Sequence, residues 1–353
     1  MLRVRLTLMR VLVGTLLATA VLAATAPPVQ ADGTWADRLG YPPGSRVLVL
    51  HASHVGTVFE ANEAAERQLS DGFATSASAV VPGTWFTEFA EWCRSHPGHD
   101  VGVALALNSE MPYNRYGPVA PRSEVASLVD ADGYLAATTL QSVINADAGE
   151  VERELRAQIE RALKSGVKPG HLSPHLGTLV ARADLMDVYL RLAREYWIPA
   201  VMVELTDAHI EQFRSEGFPL DEATVRAVRE YPLPKLDHIE FIPTADSYEA
   251  KRERFMELAR SLRPGITQIT YSPTVESMAV ERLWPQWQQY VWDAQLIADP
   301  EVRTFLVDEG FVLTDWIEMM QRFEQGGPSL EMPTDDAPDA VTFEQSDSSG
   351  ASP

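Results

Sequence analysis

Cysteine is almost missing from this chain of 353 residues. Cys93 stands alone, so no intramolecular disulfide can hold the fold, and an exported form must rest on its hydrophobic core. Cys93 sits at helical spacing in Phe86-Thr-Glu-Phe-Ala-Glu-Trp-Cys93 and reads as a buried structural thiol. Positive charge is scarce as well: 29 Lys and Arg face 50 Asp and Glu, a formal net charge of −21. Such a charge repels nucleic acid phosphates and anionic membrane surfaces, favours solubility, and says nothing about catalysis. No Gly-rich phosphate loop follows an apolar run, no G-x-S-x-G elbow occurs and C-x-x-C is absent. The phosphate-cradle, nucleophile-elbow and dithiol chemistries that depend on those motifs are therefore not indicated.

A long apolar run occurs once, at the start. Arg3, Arg5 and Arg10 precede a stretch from Val11 to Ala24, and Val29, Gln30 and Ala31 supply small residues at cleavage-site positions. This layout predicts a secretory signal over 1–31, too short to serve as an anchor, with the mature chain beginning at Asp32. No cysteine lies there to take a lipid, so the expected location is periplasmic or extracellular, without membrane insertion after cleavage. From Gly326 the chain turns to Gly, Pro, Ser and Asp, with Glu331, Asp335, Asp336, Asp339, Glu344 and Asp347 and no Lys or Arg. A segment of that composition cannot bury enough apolar surface to offset its ordering entropy, so 326–353 reads as a disordered acidic tail. A lead-in over 32–45 and a single folded domain over 46–325 remain.

Within that domain, short apolar runs alternate with helix-period segments. The runs are Val47–Leu50, Thr75–Val81, Val101–Leu107, Pro199–Glu204, His238–Ile242, Ile266–Tyr271 and Phe311–Thr314. Several are continuously apolar, which fits strands covered on both faces. Glu150–Ser165 carries one stripe of Val151, Leu155, Ile159, Ala162 and Leu163, with Gly166 as its stop. Ala181–Tyr196 and Ser247–Leu262 repeat the pattern, the latter opening on a serine cap and closing at Pro264-Gly265. Alternating β–α units imply a parallel sheet, doubly wound or closed into a barrel. In a barrel the working residues lie just past the C-terminal strand ends.

Four segments occupy such positions: Arg46-Val-Leu-Val-Leu-His51-Ala-Ser53-His54-Val-Gly56, Gly102-Val-Ala104-Leu-Ala106-Leu, His171-Leu-Ser173-Pro174-His175-Leu-Gly177, and Ile269-Thr-Tyr-Ser272-Pro273. They resemble the YdjC/ChbG-like carbohydrate deacetylases, whose pattern at these places is H-A-D-D-x-G, G-x-H-L-x-L, T-H-x-D-S-H and x-H-P. Asn62 in Glu60-Ala-Asn62, the Trp85-Phe86 pair, and the blocks Ser127–Tyr134 and Glu150–Glu160 follow in the family's order, so the resemblance spans Arg46 to Trp316. It implies an α/β fold, a distorted (β/α) barrel of the polysaccharide deacetylase type. It also implies a divalent metal held by one carboxylate and two histidines, with an aspartate as base and a histidine assisting the leaving amine.

By matching position, Ser53 stands for the base, His54 for the metal-binding carboxylate and Ala104 for one ligand histidine. Ser173 stands for an orienting acid and Ser272 for the late histidine. A carboxylate can take a proton and an imidazole can give a dication a lone pair; serine and alanine do neither. Losing a general base alone costs about a hundred- to ten-thousandfold in rate. The expectation is therefore an exported deacetylase-like protein that is catalytically degenerate and binds an oligosaccharide, with no cofactor or one zinc-like divalent metal. A rescued hydrolase remains open, with His54, His171 and His175 as a three-histidine site and Glu110 as the nearest replacement carboxylate. A non-enzymatic partner-binding module is the third alternative. Arg115 and Tyr116, on the long loop after Leu107, are the expected sugar contacts, with Trp284 from the cluster Trp284, Trp287, Tyr290 and Trp292. Spread over about 200° of a helix, those four rings cannot all share one buried stripe.

Overall fold

The computed structural model of the chain describes residues 33–215 and 220–326. The expected leader over 1–31 and the tail from 327 lie outside the described residues. Gly326, expected to open the tail, is the last residue of the helix Trp316–Gly326.

Among the described residues, seven strands form one sheet: β1 (Arg46–Val55), β2 (Ser76–Val80), β3 (Asp100–Leu105), β4 (Leu172–Pro174), β5 (His238–Phe241), β6 (Gly265–Tyr271) and β7 (Val312–Leu313). Their order is β4-β3-β2-β1-β6-β5, with β7 beside β1, and every pairing is parallel. Helices cover one face of the sheet and the barrel interior the other, so Val47, Leu48, Val49, Ala77 and Ala79 are wholly buried. β7 pairs with Val47 and Leu48, below the point at which β2 joins β1 at His51.

The run over 199–204 does not become a strand. Pro199 has no N–H to donate, and the segment contributes only the isolated bridges Leu172↔Ala200 and Val203↔Leu236. Those bridges fall between β4 and β5, so irregular backbone spans the gap where a regular barrel would have paired strands. The fold is accordingly a distorted (β/α) barrel in one α/β domain.

The predicted helices form with small shifts, at Ala148–Lys164, Ala183–Glu195 and Tyr248–Ser261, the last capped by the Ser247 hydroxyl. In the first, Val151, Leu155, Ile159 and Ala162 are fully buried, but so are Glu154 and Gln158. Gln158 bonds both the N–H and the carbonyl of Ala106 (3.0 and 2.7 Å), and the Glu154 carboxylate accepts from Val119 N and Ala120 N (both 2.9 Å). These side chains satisfy backbone beyond the end of β3 and pin the long loop after it. The lead-in closes the opposite end of the barrel: Trp35, Leu39 and Tyr41 pack with Trp316, Met319 and Ile266. The Asp237 carboxylate holds this plug through the N–H groups of Trp35, Ala36 and Ile266.

Midway along the barrel lies a buried imidazole pair, His51 and His171, with ring centroids 5.0 Å apart. His51 bonds the Ser76 and Ser78 hydroxyls at 3.0 Å each, and His171 Nδ1 lies 3.3 Å from Asp100. A Cβ at Gly102 would stand 2.4 Å from His171 Nε2, so only glycine admits this ring. Burial first, then the neighbouring His171, hold the His51 imidazole well below its ordinary 6.5. Below about pH 6.5 the unfolded chain therefore binds a proton that the native protein refuses, and stability falls as pH drops, by up to about 1.4 kcal/mol per pH unit. A His51→Gln variant should lose less unfolding free energy between pH 7 and 5 in urea titrations. Identical slopes for the two proteins would remove His51 from this role.

Candidate metal centre at the barrel mouth

One layer above that pair, at the C-terminal end of the sheet, a second pair forms. His54 from the end of β1 and His175 just past β4 lie with ring centroids 5.1 Å apart. The register of β1 shifts between Ala52 and Val55, and His54 has a left-handed backbone (φ 62°). Such a bulge re-aims a side chain, here into the mouth. Glu110, on the loop after β3, reaches between the rings: Oε1 is 3.6 Å from His54 Nε2 and Oε2 is 3.3 Å from His175 Nε2. Asn108 Nδ2 donates to Glu110 Oε2 (3.2 Å), and Thr178 Oγ1 fixes Asn108 (2.9 Å).

The serines expected at the mouth have a definite task. Ser53 Oγ donates to Tyr271 O (2.9 Å), stands 3.0 Å from Ser272 Oγ, and both hydroxyls lie 3.0–3.1 Å from His54 Nδ1. Every proton in this cluster finds an acceptor when His54 Nδ1–H donates to Ser272, Ser272 to Ser53, and Ser53 to Tyr271 O. That assignment puts the free lone pair of His54 on Nε2, toward Glu110. Behind Ser272, its N–H donates to the buried Asp293 (3.3 Å), which pairs with Lys251 (2.7 Å). Burial pushes the Asp293 carboxyl up to about 6 against the opposing pull of Lys251.

Burial, reinforced by His175 and only partly offset by Glu110, lowers His54 to about 4. Burial acts to raise Glu110, but His175 and then His54 outweigh it and leave the carboxyl at about 2. At neutral pH the cluster thus offers an uncharged His54 imidazole beside an anionic carboxylate. The ligand atoms of His54, Glu110 and His175 lie within 4.8 Å of one another, and buried Glu110 Oε1 has no hydrogen-bond donor. An orphaned carboxylate oxygen facing an Nε2 lone pair is a misfit for a purely structural cluster. It fits a divalent cation, which takes such nitrogen and oxygen donors with positions left open.

His171 is not part of this set. It enters β4 from below while His175 leaves it above, and four residues of extended chain separate them by roughly 13 Å. Ser173 and Ala104 are register partners on β4 and β3, and Ser53 touches Ser272, so the degenerate positions line the same interior. Trp284 is 8% exposed and sets its edge against His54 (6.5 Å) and Tyr290 (5.2 Å), walling the pocket rather than offering a free face. Arg115 is engaged with Asp130 (2.9 Å), the Leu135 carbonyl and the Tyr134 ring, which fastens the loop. Tyr116 is buried near Glu110, its hydroxyl without a partner and its pKa held well above normal, first by burial and then by the Glu110 charge. Asp293 and Lys251 carried no motif by which the sequence could have marked them.

Fold and site together define a carbohydrate-deacetylase-type barrel with a rebuilt His–Glu–His mouth. The YdjC-like protein pattern matches residues 47–308, and the chain belongs to that family. A carbohydrate deacetylase of Thermus thermophilus is 33% identical over 276 residues, covering 77% of this chain and 93% of that protein. One from Enterococcus faecalis is 31% identical over 157 residues, covering 44% of this chain and 58% of its own. Among solved structures, an Enterococcus faecalis protein provisionally assigned to cellobiose-phosphate cleavage superposes with a TM-score of 0.64 at 21% identity, over 78% of this chain and 99% of that one. Relative to the motif pattern, the donor inventory of one carboxylate and two imidazoles is retained. The two types have exchanged places between the first and third strand ends, with His54 where the acid stands and Glu110 supplied beyond Ala104.

Proposed function

We propose that this chain is an exported glycan-binding member of its family that keeps a divalent-metal site and has lost most of the hydrolytic chemistry. The observation that carries this reading is the Ser53–Ser272 hydroxyl pair, bonded to itself, to His54 and to Tyr271 O where the motif pattern has its base and late histidine. A hydroxyl cannot serve as general base near neutral pH, and Glu110, at about 2, is a poor proton acceptor there. Glu110 is also committed to the cluster: with His54 and His175 it would hold the cation. A divalent cation at this place supplies carbonyl polarisation and water acidification. The protein's own residues bind and orient a saccharide beside it, with the Ser53 and Ser272 hydroxyls standing where a proton acceptor would be needed. The relatives' carbohydrate deacetylase activity motivates the ligand class, and the leader-like 1–31 motivates export.

The complete ligand set favours one second reading, a working deacetylase with a rearranged centre. Metal content and acetate release from N-acetylglucosamine oligomers separate the two. The expected result is about one zinc per chain, as a single set of three protein ligands requires, with acetate at background. Chelator-sensitive turnover at ordinary hydrolase rates would establish the second reading instead.

A further inference from the structure

We propose that the rim beside the metal centre is a built saccharide subsite. Phe59, Trp85 and Tyr113 form an aromatic ledge that receives the sugars next to the one held at His54, Glu110 and His175. The ligand is then a chain of several pyranoses rather than a single sugar; this rests on the glycan-binding reading above.

The three rings belong to the segments that follow β1, β2 and β3, and they are 43%, 42% and 81% exposed. Large aromatics are ordinarily covered, so three exposed rings on loops that bond one another call for a partner. Phe59 and Trp85 pack as a tilted pair 5.2 Å apart. The backbone beneath is locked rather than loose. Asn114, next to Tyr113, donates to Thr57 O (2.7 Å) and accepts from Thr84 Oγ1 (3.0 Å), which also bonds Thr57 O (3.0 Å). Trp85 N donates to Gly56 O (3.0 Å), and the buried Asn62 amide clamps Gly56 N and Trp85 O. A Cβ at Gly83 would meet Gly56 O at 2.3 Å, so glycine is what lets these two loops touch. Thr57 in turn donates through N and Oγ1 to His54 O (3.3 and 2.6 Å), so the ledge is tied to the backbone of the metal-site His54.

Chemistry selects the occupant. Thr57, Phe59, Thr84, Trp85, Tyr113 and Asn114 are all uncharged in a chain of net charge −21. The ledge's own groups are flat rings, hydroxyls and amides, and Thr84 and Trp85 also line a cleft with Glu66, Glu88 and Glu91. An anionic glycan is therefore repelled, and a neutral polyhydroxylated ligand whose C–H faces lie on aromatic rings is suited. Phe59 and Trp85, packed on each other before binding, lose little conformational freedom when they engage.

Isothermal titration of the zinc-loaded protein with β-linked N-acetylglucosamine oligomers of increasing length tests this. Affinity should rise by about tenfold or more from the monomer to the tetramer, and Trp85→Ala or Tyr113→Ala should each remove about tenfold at the tetramer and little at the monomer. Trp85→Phe should retain most of the gain. Tyr113 is almost free of packing, so its variant reports on the ledge even if Trp85→Ala perturbs the fold. Length-independent binding, or variants that keep the full gain, would overturn the ledge and leave the glycan reading standing. Failure of every oligomer to bind the natural protein would take down both.

Discussion

A Ser53→Asp, Ser272→His double variant is expected to release acetate from N-acetylglucosamine oligomers at least about a hundredfold faster than the natural chain, the lower end of what a positioned general base contributes. Both positions already face the same point: the two hydroxyls are 3.0 Å apart and flank His54 Nδ1. An aspartate at 53 has one oxygen for the His54 Nδ1–H and a second turned toward the mouth as proton acceptor. It forfeits the bond that Ser53 now gives to Tyr271 O, so some stability is lost with the substitution. A histidine at 272 supplies the donor that a departing amine needs. Groups acting as a unit are strongly non-additive, so either single change should recover little. Acetate release assayed with saturating zinc decides the matter. A folded, zinc-loaded double variant that stays at background would show that something other than missing proton transfer silences the site.

Particular residues show why some of this was legible in the sequence and some was not. β1 was readable because Val47–Leu50 is apolar on both faces, and the helix Ala148–Lys164 because its stripe recurs at the helical period. β4 spans only Leu172–Pro174, too short to produce a periodic signal, and it was found through its motif. The run over 199–204 has strand composition but lies at the seam of the ring, where Pro199 and irregular backbone leave isolated bridges; composition cannot tell a seam from a strand. His54 and His175 were legible as motif positions. His171 shares their residue type and lies four places from His175, yet an extended chain carries it to the layer below, where Asp100 and His51 engage it. Glu110 could be named as the nearest carboxylate. Its place as the bridge between two imidazoles depends on the path of a long loop, set by Asn108, Glu154 and Gln158, whose pairings no pattern announces. Arg115 looked free in sequence because its partners, Asp130 and the Leu135 carbonyl, are distant in the chain.

Replacing Glu110 is expected to cost the protein its metal. Glu110→Gln preserves shape and leaves an oxygen for Asn108, but it removes the only formal negative charge in the His54–Glu110–His175 cluster. Loss of an outer hydrogen-bond partner typically weakens metal affinity about ten- to a hundredfold, so loss of a direct ligand should exceed about a hundredfold. Competition against a chromogenic chelator reads this directly. Thermal unfolding supplies a second readout, because zinc at a hundred times its dissociation constant stabilises the native state by about 2.7 kcal/mol, and that increment should vanish in the variant. His171→Gln is the discriminating comparison, since His171 lies in the layer below and should leave zinc affinity unchanged wherever the variant folds. Retention of zinc by Glu110→Gln together with its loss in folded His171→Gln would transfer the ligand role from the carboxylate to the lower imidazole. It would also mean that the β4 backbone rearranges around the ion, because His171 is now engaged by Asp100 and His51 in the layer below.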